Sequence, residues 1–292
     1  MLRTTGIPHI PLKGIDCLLN LYQSKALRPM DDIDLLVHLS DAGPAESALL
    51  SLGYARITGP NAVHPSPYLN SRLYRSNAPS GPAIHLHWDL VNGSIPIASP
   101  RAAADLQRSW ARSTESPLGF LFDPADRFVY LCAHALKHSF SVWAHWMDLG
   151  LALFGGPEAV PGRGLDPVRV VEAARAGGQE RAVGLAATLL RDLFDLPVPA
   201  ALTDLRPRPT PLAERLFESL VRGGRQREGM CALVYWGDRP DWAARLRFLR
   251  GVLAPPREDL GTIDRADGAR AGWPDYLRRA GSALALAGRW LT

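Results

Sequence analysis

The chain has 292 residues, of which 47% are hydrophobic and 21% are charged. This composition is too apolar for a disordered protein and suits a globular one with one large domain or two modest ones. The formal net charge of +4 is small for this length, so charge alone does not indicate a nucleic-acid partner, and DNA least of all. The sequence shows no apolar run of the roughly 18–20 residues that cross a bilayer. Three widely spaced cysteines and the lack of a signal-peptide core predict a cytoplasmic location.

Short strand-like and helix-like segments alternate over the first hundred residues. Apolar runs and period-two alternation indicate the strands, and apolar residues at helical spacing indicate the helices. The strands are predicted at 7–12, 32–37, 54–57, 72–75 and 84–90, and the helices at 15–24 and 45–52.

Helical patterns dominate from about residue 98. The pair Asp123-Pro124 is typical of a helix start, because a capping side chain precedes a proline in the first turn. The helices are predicted at 101–112, 124–140, 143–154, 167–176, 179–194, 211–221 and 241–253, with a surface loop at 155–166. The sequence therefore predicts an α+β fold, with a small mixed β-sheet core at 1–97 and a mostly helical domain at 98–292.

A carboxylate pair on the second strand is the clearest chemical signal. Asp32 and Asp34 are two residues apart, so both side chains project from the same face of the strand. Mg²⁺ favours such oxygen ligands together with substrate phosphates. Lys13-Gly14 ends the preceding strand and opens a helix, where backbone N–H groups favour a phosphate. Either feature alone is more often an exposed face or a simple turn, but together they predict a phosphoryl- or nucleotidyl-transfer site.

The segment LKGIDCLLNLYQSKALRPMDDIDLLV resembles the opening motif of the bacterial uncharacterised nucleotidyltransferase family, within the polymerase-β-like superfamily. The resemblance continues through Leu52-Gly53-Tyr54 and Leu86-His87-Trp88 and grows weaker beyond residue 150. It implies Mg²⁺- or Mn²⁺-dependent transfer of a nucleotidyl group from a nucleoside triphosphate, in a cleft that the helical domain closes.

The resemblance assigns expected roles to the residues of the opening motif. Asp32 and Asp34 would hold the metal ion, Gly14 would lie against the triphosphate, and Lys13 would meet a phosphate. Arg28 would contact phosphate or brace Asp32, with an exposed loop arginine as an equal alternative. Relatives carry helical residues before this motif, and these would cover one side of the sheet. In this chain we expect that the covering region is missing, or that a partner or another segment supplies it.

A later strand departs from the superfamily pattern. A third acidic residue is expected two positions before the histidine of the His87-Trp88 pair, and this sequence has His85 there. Period-two alternation places His85, His87 and Asp89 on one face, so Asp89 is a candidate substitute and His87 a candidate cofactor contact. A neutral His85 is also a candidate proton acceptor. Alternatively, the absence of an acidic residue at position 85 would leave the site without catalytic activity.

The predicted helices at 124–140 and 143–154 contain a second group of polar side chains. His134 and His138 are four residues apart on the predicted helix, and His145 and Asp148 follow, which resembles metal-ligand spacing. The sequence has no H-E-x-x-H motif and fixes no third ligand, so a transition-metal site is the less favoured interpretation. Lys137 and Asp148, with His138, are expected to line the cleft where an acceptor or a base would lie. A role in the core or on the surface is an equal alternative for all of them.

The acceptor remains open at this stage: a small molecule, a peptide or protein side chain, or an RNA end. Two other functions also remain open. One is transfer of the terminal phosphoryl group, which would make the protein a kinase on the same scaffold. The other is a catalytically degenerate protein that binds a nucleotide or a partner.

Overall fold

The computed structural model describes residues 2, 5–58, 63, 66–78, 81–90, 92–97, 101–155, 165–257, 259–260 and 272–281. The chain forms two compact units, each gathered from separate stretches of sequence. The units are Met1–Pro8 with Leu35–Ala98 and Arg239–Thr292, and His9–Asp34 with Ser99–Asp238. The division into domains 1–97 and 98–292 stays a prediction. Most of the predicted loop at 155–166 lies outside the described residues.

Five strands form one mixed sheet in the order β1-β2-β5-β4-β3. Their bounds are β1 (His9–Leu12), β2 (Asp32–Val37), β3 (Tyr54–Thr58), β4 (Ser71–Ser76) and β5 (Ala83–His87). β4 pairs antiparallel with both β3 and β5. In the first unit, Leu36, Tyr74 and Leu86 are fully buried, so alternate positions of these strands form its core.

The second unit is mainly helical. The α-helices whose bounds lie within the described residues include α1 (Lys13–Asn20), α2 (Ala42–Ser51), α3 (Ala102–Arg112), α4 (Pro124–Lys137), α5 (Trp143–Phe154), α6 (Pro167–Gly177), α7 (Glu180–Phe194), α8 (Ala200–Thr203), α9 (Leu212–Arg222), α10 (Cys231–Gly237) and α11 (Trp242–Leu253). Of these, α2 and α11 belong to the first unit. Fully buried side chains of the second unit include Ile10 of β1, Phe128 of α4, Leu149 of α5 and Phe217 of α9. The predicted α+β class with a helical C-terminal part is confirmed.

Capping explains why two long helices begin where they do. The Asp123 carboxylate accepts a hydrogen bond from the Ala125 N–H at 3.0 Å, and Pro124 occupies the first helical position of α4. Asp166 caps α6 in the same way, by accepting from Val168 N–H at 2.9 Å. These caps satisfy backbone N–H groups in the first turns of α4 and α6.

Several predicted boundaries are corrected, and β1 begins at His9 instead of residue 7 and α2 at Ala42 instead of residue 45. α4 ends at Lys137 instead of residue 140, because Ser139 and Phe140 have φ values of +54° and +55° in the left-handed region. The first helix ends at Asn20 instead of residue 24, and a 3₁₀ turn at Lys25–Leu27 follows it. β5 ends at His87 instead of residue 90.

A hairpin that the sequence patterns do not predict lies against β1 in the second unit. It consists of β6 (Thr114–Ser116) and β7 (Gly119–Leu121), which pair antiparallel. Gly119 has a φ of +110°, and a Cβ atom there would lie 2.6 Å from the His9 carbonyl oxygen. This close approach requires glycine at position 119. The hairpin is another segment of the same chain that lies against β1.

Among the described residues, no helix combines the length and the apolar composition that crossing a membrane would need.

Candidate functional site

The junction between β1 and α1 presents a lysine in an unusual backbone conformation. Lys13 is the first residue of α1 and has a φ of +52°, which L-residues with long side chains rarely adopt. Such backbone strain is concentrated at sites where function needs a side chain in one direction. Its ammonium group lies 2.6 Å from Asp34 Oδ1, and the Lys13 side chain is 13% exposed.

Gly14 follows Lys13 at a point of close packing. A Cβ atom at Gly14 would lie 2.9 Å from Met30 Sδ and 3.5 Å from Arg28 Nη1. A larger residue at this position would therefore press on the flexible Met30 side chain, in the segment that leads into β2. Contact with a triphosphate, the role that the resemblance implies, stays a prediction.

The two carboxylates of β2 share one face, as the two-residue spacing predicts. Asp34 is buried, with a side-chain exposure of 6%, and its Oδ1 accepts the hydrogen bond from Lys13. Asp32 is half-buried at the start of the strand. The Lys13 ammonium therefore offsets the charge of the buried Asp34 carboxylate.

β5 carries two histidines close to each other. The ring centroids of His85 and His87 lie 4.2 Å apart, and His85 Nε2 is 2.8 Å from the Ser71 hydroxyl oxygen on β4. Because β5 ends at His87, Asp89 lies in the bend that follows, and the expected alternation does not extend to it. In the sheet, β5 is next to β2. One ligand atom from each of Asp34, His85 and His87 lies within 4.8 Å of the others, so these three side chains can hold a metal ion.

Arg28 is fixed by a buried ion pair with α5. Its Nε donates to Asp148 Oδ1 at 2.9 Å, and its Nη2 donates to Asp148 Oδ2 at 2.9 Å. Tyr22 donates to the same Oδ1 at 2.8 Å. The Arg28 and Asp148 side chains are 11% and 2% exposed. Arg28 is therefore not an exposed loop arginine, and both oxygens of Asp148 are used in bracing the segment before β2.

Lys137 and three histidines form the polar face of α4 and the start of α5. Burial, followed by the nearby Lys13 ammonium, lowers the pKa of Lys137 to about 8. Burial also lowers the pKa of His138 to about 3 and that of His145 to about 4. Burial keeps the pKa of His134 well below its usual range. All three imidazoles are therefore neutral at pH 7.

One buried ion pair near the junction was not predicted. Arg127 on α4 donates from Nε to Asp16 Oδ2 at 2.6 Å and from Nη2 to Asp16 Oδ1 at 3.1 Å. Burial raises the pKa of Asp16, although Arg127 opposes that shift. The available signal was an acidic residue among the apolar residues of a short helix, which indicates a buried partner. This pair ties α1, and so the Lys13 junction, to α4.

The arrangement of a strand, a Lys-Gly junction, a helix and an Asp-x-Asp strand matches the motif noted in the sequence. The family profile described as an uncharacterised nucleotidyltransferase matches residues 1–195. The chain belongs to this nucleotidyltransferase family. The matched region ends at residue 195, the first residue after α7. It therefore includes β1–β7 and the helices that carry Lys137 and Asp148.

Membership in this nucleotidyltransferase family supports a transferase activity in general terms. No curated protein matches the chain significantly. The Asp34, His85 and His87 group is compatible with a divalent metal ion. The substrate, the acceptor and the individual residue roles belong to the proposal that follows.

Proposed function

We propose that the protein is a metal-dependent nucleotidyltransferase that moves a nucleoside monophosphate from a nucleoside triphosphate to an acceptor hydroxyl. In this reaction the acceptor oxygen bonds to the α-phosphorus, the bond to pyrophosphate breaks, and the hydroxyl proton is released. The observation that carries the proposal is the 2.6 Å ion pair between Lys13 and Asp34 at the strand–helix junction. Family membership supports the reaction class.

The ion pair suggests how the site would change when a divalent cation and a nucleotide bind. Lys13 provides the positive charge that the buried Asp34 carboxylate needs. A divalent cation at Asp34 would take over that role, and Lys13 would then be available for a phosphate oxygen of the nucleotide. The left-handed conformation of Lys13 sets the direction in which its side chain leaves the backbone.

The possible ligand atoms fit a divalent cation and indicate which cation would support the higher activity. Asp34 supplies a carboxylate oxygen, and His85 and His87 supply imidazole nitrogens within 4.8 Å. Mg²⁺ strongly prefers oxygen donors, whereas Mn²⁺ accepts both oxygen and imidazole. We propose that Asp34, His85 and His87 hold the ion, that Asp32 on the same face of β2 assists, and that Mn²⁺ supports higher activity than Mg²⁺. When bound, the cation would offset negative charge on the transferring group.

The test compares label transfer from α-³²P and γ-³²P nucleoside triphosphates with Mn²⁺ or Mg²⁺. Protein, RNA and small-molecule fractions of a cell extract serve as acceptors. Asp34→Asn removes the buried carboxylate charge, and Asp31→Asn is the matched control, because Asp31 is exposed and immediately precedes β2. We expect α-label transfer that falls at least about 100-fold in Asp34→Asn and stays within about twofold in Asp31→Asn.

Each alternative has its own outcome. Transfer of the γ label alone would make the protein a kinase and refute nucleotidyl transfer. Nucleotide binding by calorimetry, without transfer of either label under any metal, would indicate a catalytically degenerate site. The labelled acceptor fraction would choose among a small molecule, a protein and RNA.

A further inference from the structure

Helix α11 of the first unit has one packed face and one open face. On the packed face Phe248 is 4% exposed, and the Arg239 guanidinium carbon lies 5.1 Å from the centroid of its ring. The Tyr68 hydroxyl donates a hydrogen bond to the Gly251 carbonyl oxygen at 3.0 Å, and a Cβ atom at Gly251 would lie 2.9 Å from Pro96. These contacts fix the rotation of α11 about its axis, and so determine which side chains face away from the unit.

The open face of α11 is a narrow apolar stripe. Its four side chains are Trp242, Leu246, Leu249 and Leu253, which are 67%, 63%, 40% and 41% exposed. These four residues form the α11 seam. Their separations of four, three and four residues are those of the d and a positions of a heptad, so they project within about 60° of arc around the helix. A stripe limited to a and d positions is the pattern by which one helix packs along another.

Arginines flank the α11 seam on both sides. Arg245 occupies the g position before Leu246, and Arg250 occupies the e position after Leu249. The Arg245 guanidinium carbon lies 5.2 Å from the centroid of the Trp242 ring, at one edge of the seam. Arg250 is exposed at the other edge. α11 contains three arginines and no acidic residue, so the seam lies in a region of positive charge.

The seam and its flanks together select an acidic helix as the partner. A second copy of α11 would bring arginine against arginine at the e and g positions, which is unfavourable. Single-stranded RNA uses arginines and aromatic rings but makes no use of leucines at a and d positions. A lipid surface suits a broader apolar face than this seam. Leucine at a and d with glutamate at e and g, on a partner helix, matches both the apolar spacing and the charge.

We propose that the α11 seam binds an acidic amphipathic helix of a partner protein. The four apolar side chains of the seam pack between the partner's a and d side chains, and Arg245 and Arg250 pair with carboxylates at its e and g positions. Exposed ion pairs add little affinity each, so the apolar side chains supply most of the binding and the arginines select the sign of the partner's charge.

The test titrates two synthetic helical peptides with the full-length protein and follows binding by fluorescence anisotropy. Each peptide has about three heptads with leucine at every a and d position. The acidic peptide has glutamate at every e and g position and the basic peptide has lysine there, so like charges keep each peptide from pairing with itself. Circular dichroism confirms that every protein variant is folded.

Two pairs of variants separate the seam from the rest of the surface. Leu246→Ala/Leu249→Ala removes the middle of the seam, and Leu212→Ala/Leu216→Ala is its control, because these α9 leucines are 73% and 50% exposed and lie one turn apart. Arg250→Glu reverses a charge beside the seam. Arg247→Glu makes the same charge change on the same helix at an exposed b position, away from the seam.

We expect the acidic peptide to bind at least about tenfold more tightly than the basic peptide. Leu246→Ala/Leu249→Ala should weaken the acidic peptide at least about tenfold, because two central apolar contacts are lost, whereas the α9 control should change its affinity by less than about twofold. Arg250→Glu should weaken the acidic peptide about threefold to tenfold and strengthen the basic one. Arg247→Glu should change either affinity by less than about twofold.

Three results overturn the proposal: no binding of the acidic peptide, equal binding of the two peptides, or binding that the seam variant does not weaken. Binding to anionic vesicles or to single-stranded RNA that needs Leu246 and Leu249, without binding of the acidic peptide, would assign the seam to that partner instead. Light scattering that shows a dimer dependent on the same leucines would assign it to a second copy of the chain. Nucleotidyl transfer is measured separately and is not a readout of this test.

Discussion

The Arg28–Asp148 pair makes a quantitative prediction about the stability of the second unit. Asp148→Asn keeps the size of the side chain and removes its charge, which leaves the 11%-exposed Arg28 guanidinium without its anionic partner. Loss of one partner of a buried ion pair costs about 3–5 kcal/mol. Because asparagine still accepts one hydrogen bond and Arg28 is not fully buried, we expect the lower end, about 3 kcal/mol.

This loss is measurable by thermal unfolding. A change of 1 kcal/mol shifts the midpoint by about 2–4 °C for domains of 150–250 residues, so we expect a fall of about 6–12 °C. The matched control is Asp204→Asn, which breaks an Arg–Asp pair with Arg208 whose side chains are 56% and 79% exposed. That control should change stability by less than about 0.5 kcal/mol. Equal shifts in the two variants would refute the argument that burial determines the cost.

The junction and Lys137 give two further predictions. Gly14→Ala should destabilise the protein by no more than about 1 kcal/mol, because its Cβ would lie 2.9 Å from Met30 Sδ, the flexible end of a side chain that can shift, and Met30→Ala should remove that loss in urea denaturation. The free energy of unfolding should rise between pH 8 and 10.5, because the unfolded Lys137 binds more protons than the folded one there. Lys137→Met should therefore be more stable than the wild type by about 2–3 kcal/mol at pH 7, and this advantage should shrink as the pH rises through that range. A difference that does not vary with pH would contradict it.

Local patterns predicted most of the regular structure. α5 spans 143–154, the same bounds as the prediction, because its apolar residues recur at helical spacing up to Gly155. β2 begins at Asp32, also as predicted, because a run of apolar residues follows the acidic pair. The two-residue spacing places Asp32 and Asp34 on one face of β2, but only Asp34 belongs to the group with His85 and His87, and a metal-binding role for Asp32 stays a prediction. Such features depend on neighbours within a few residues, and these are visible in the sequence.

Features that depend on distant contacts were not predictable. Arg28 and Asp148 are separated by 120 residues, so nothing in the local sequence pairs them, and Asp148 was expected to line a cleft. The β6–β7 hairpin has three-residue strands, which are too short to show alternation. The end of β5 at His87 likewise depends on the fold around it, and Asp89 remains an untested candidate.

The hairpin that lies against β1 has a consequence for self-association. β1 is the outer strand of the sheet order, and outer strands offer unpaired backbone groups to other chains. Pro11 removes one backbone donor from this strand, and the Gly119 backbone lies too close to the His9 carbonyl for any larger residue. Together they protect the strand that leads to Lys13 from strand addition by a second copy of the chain.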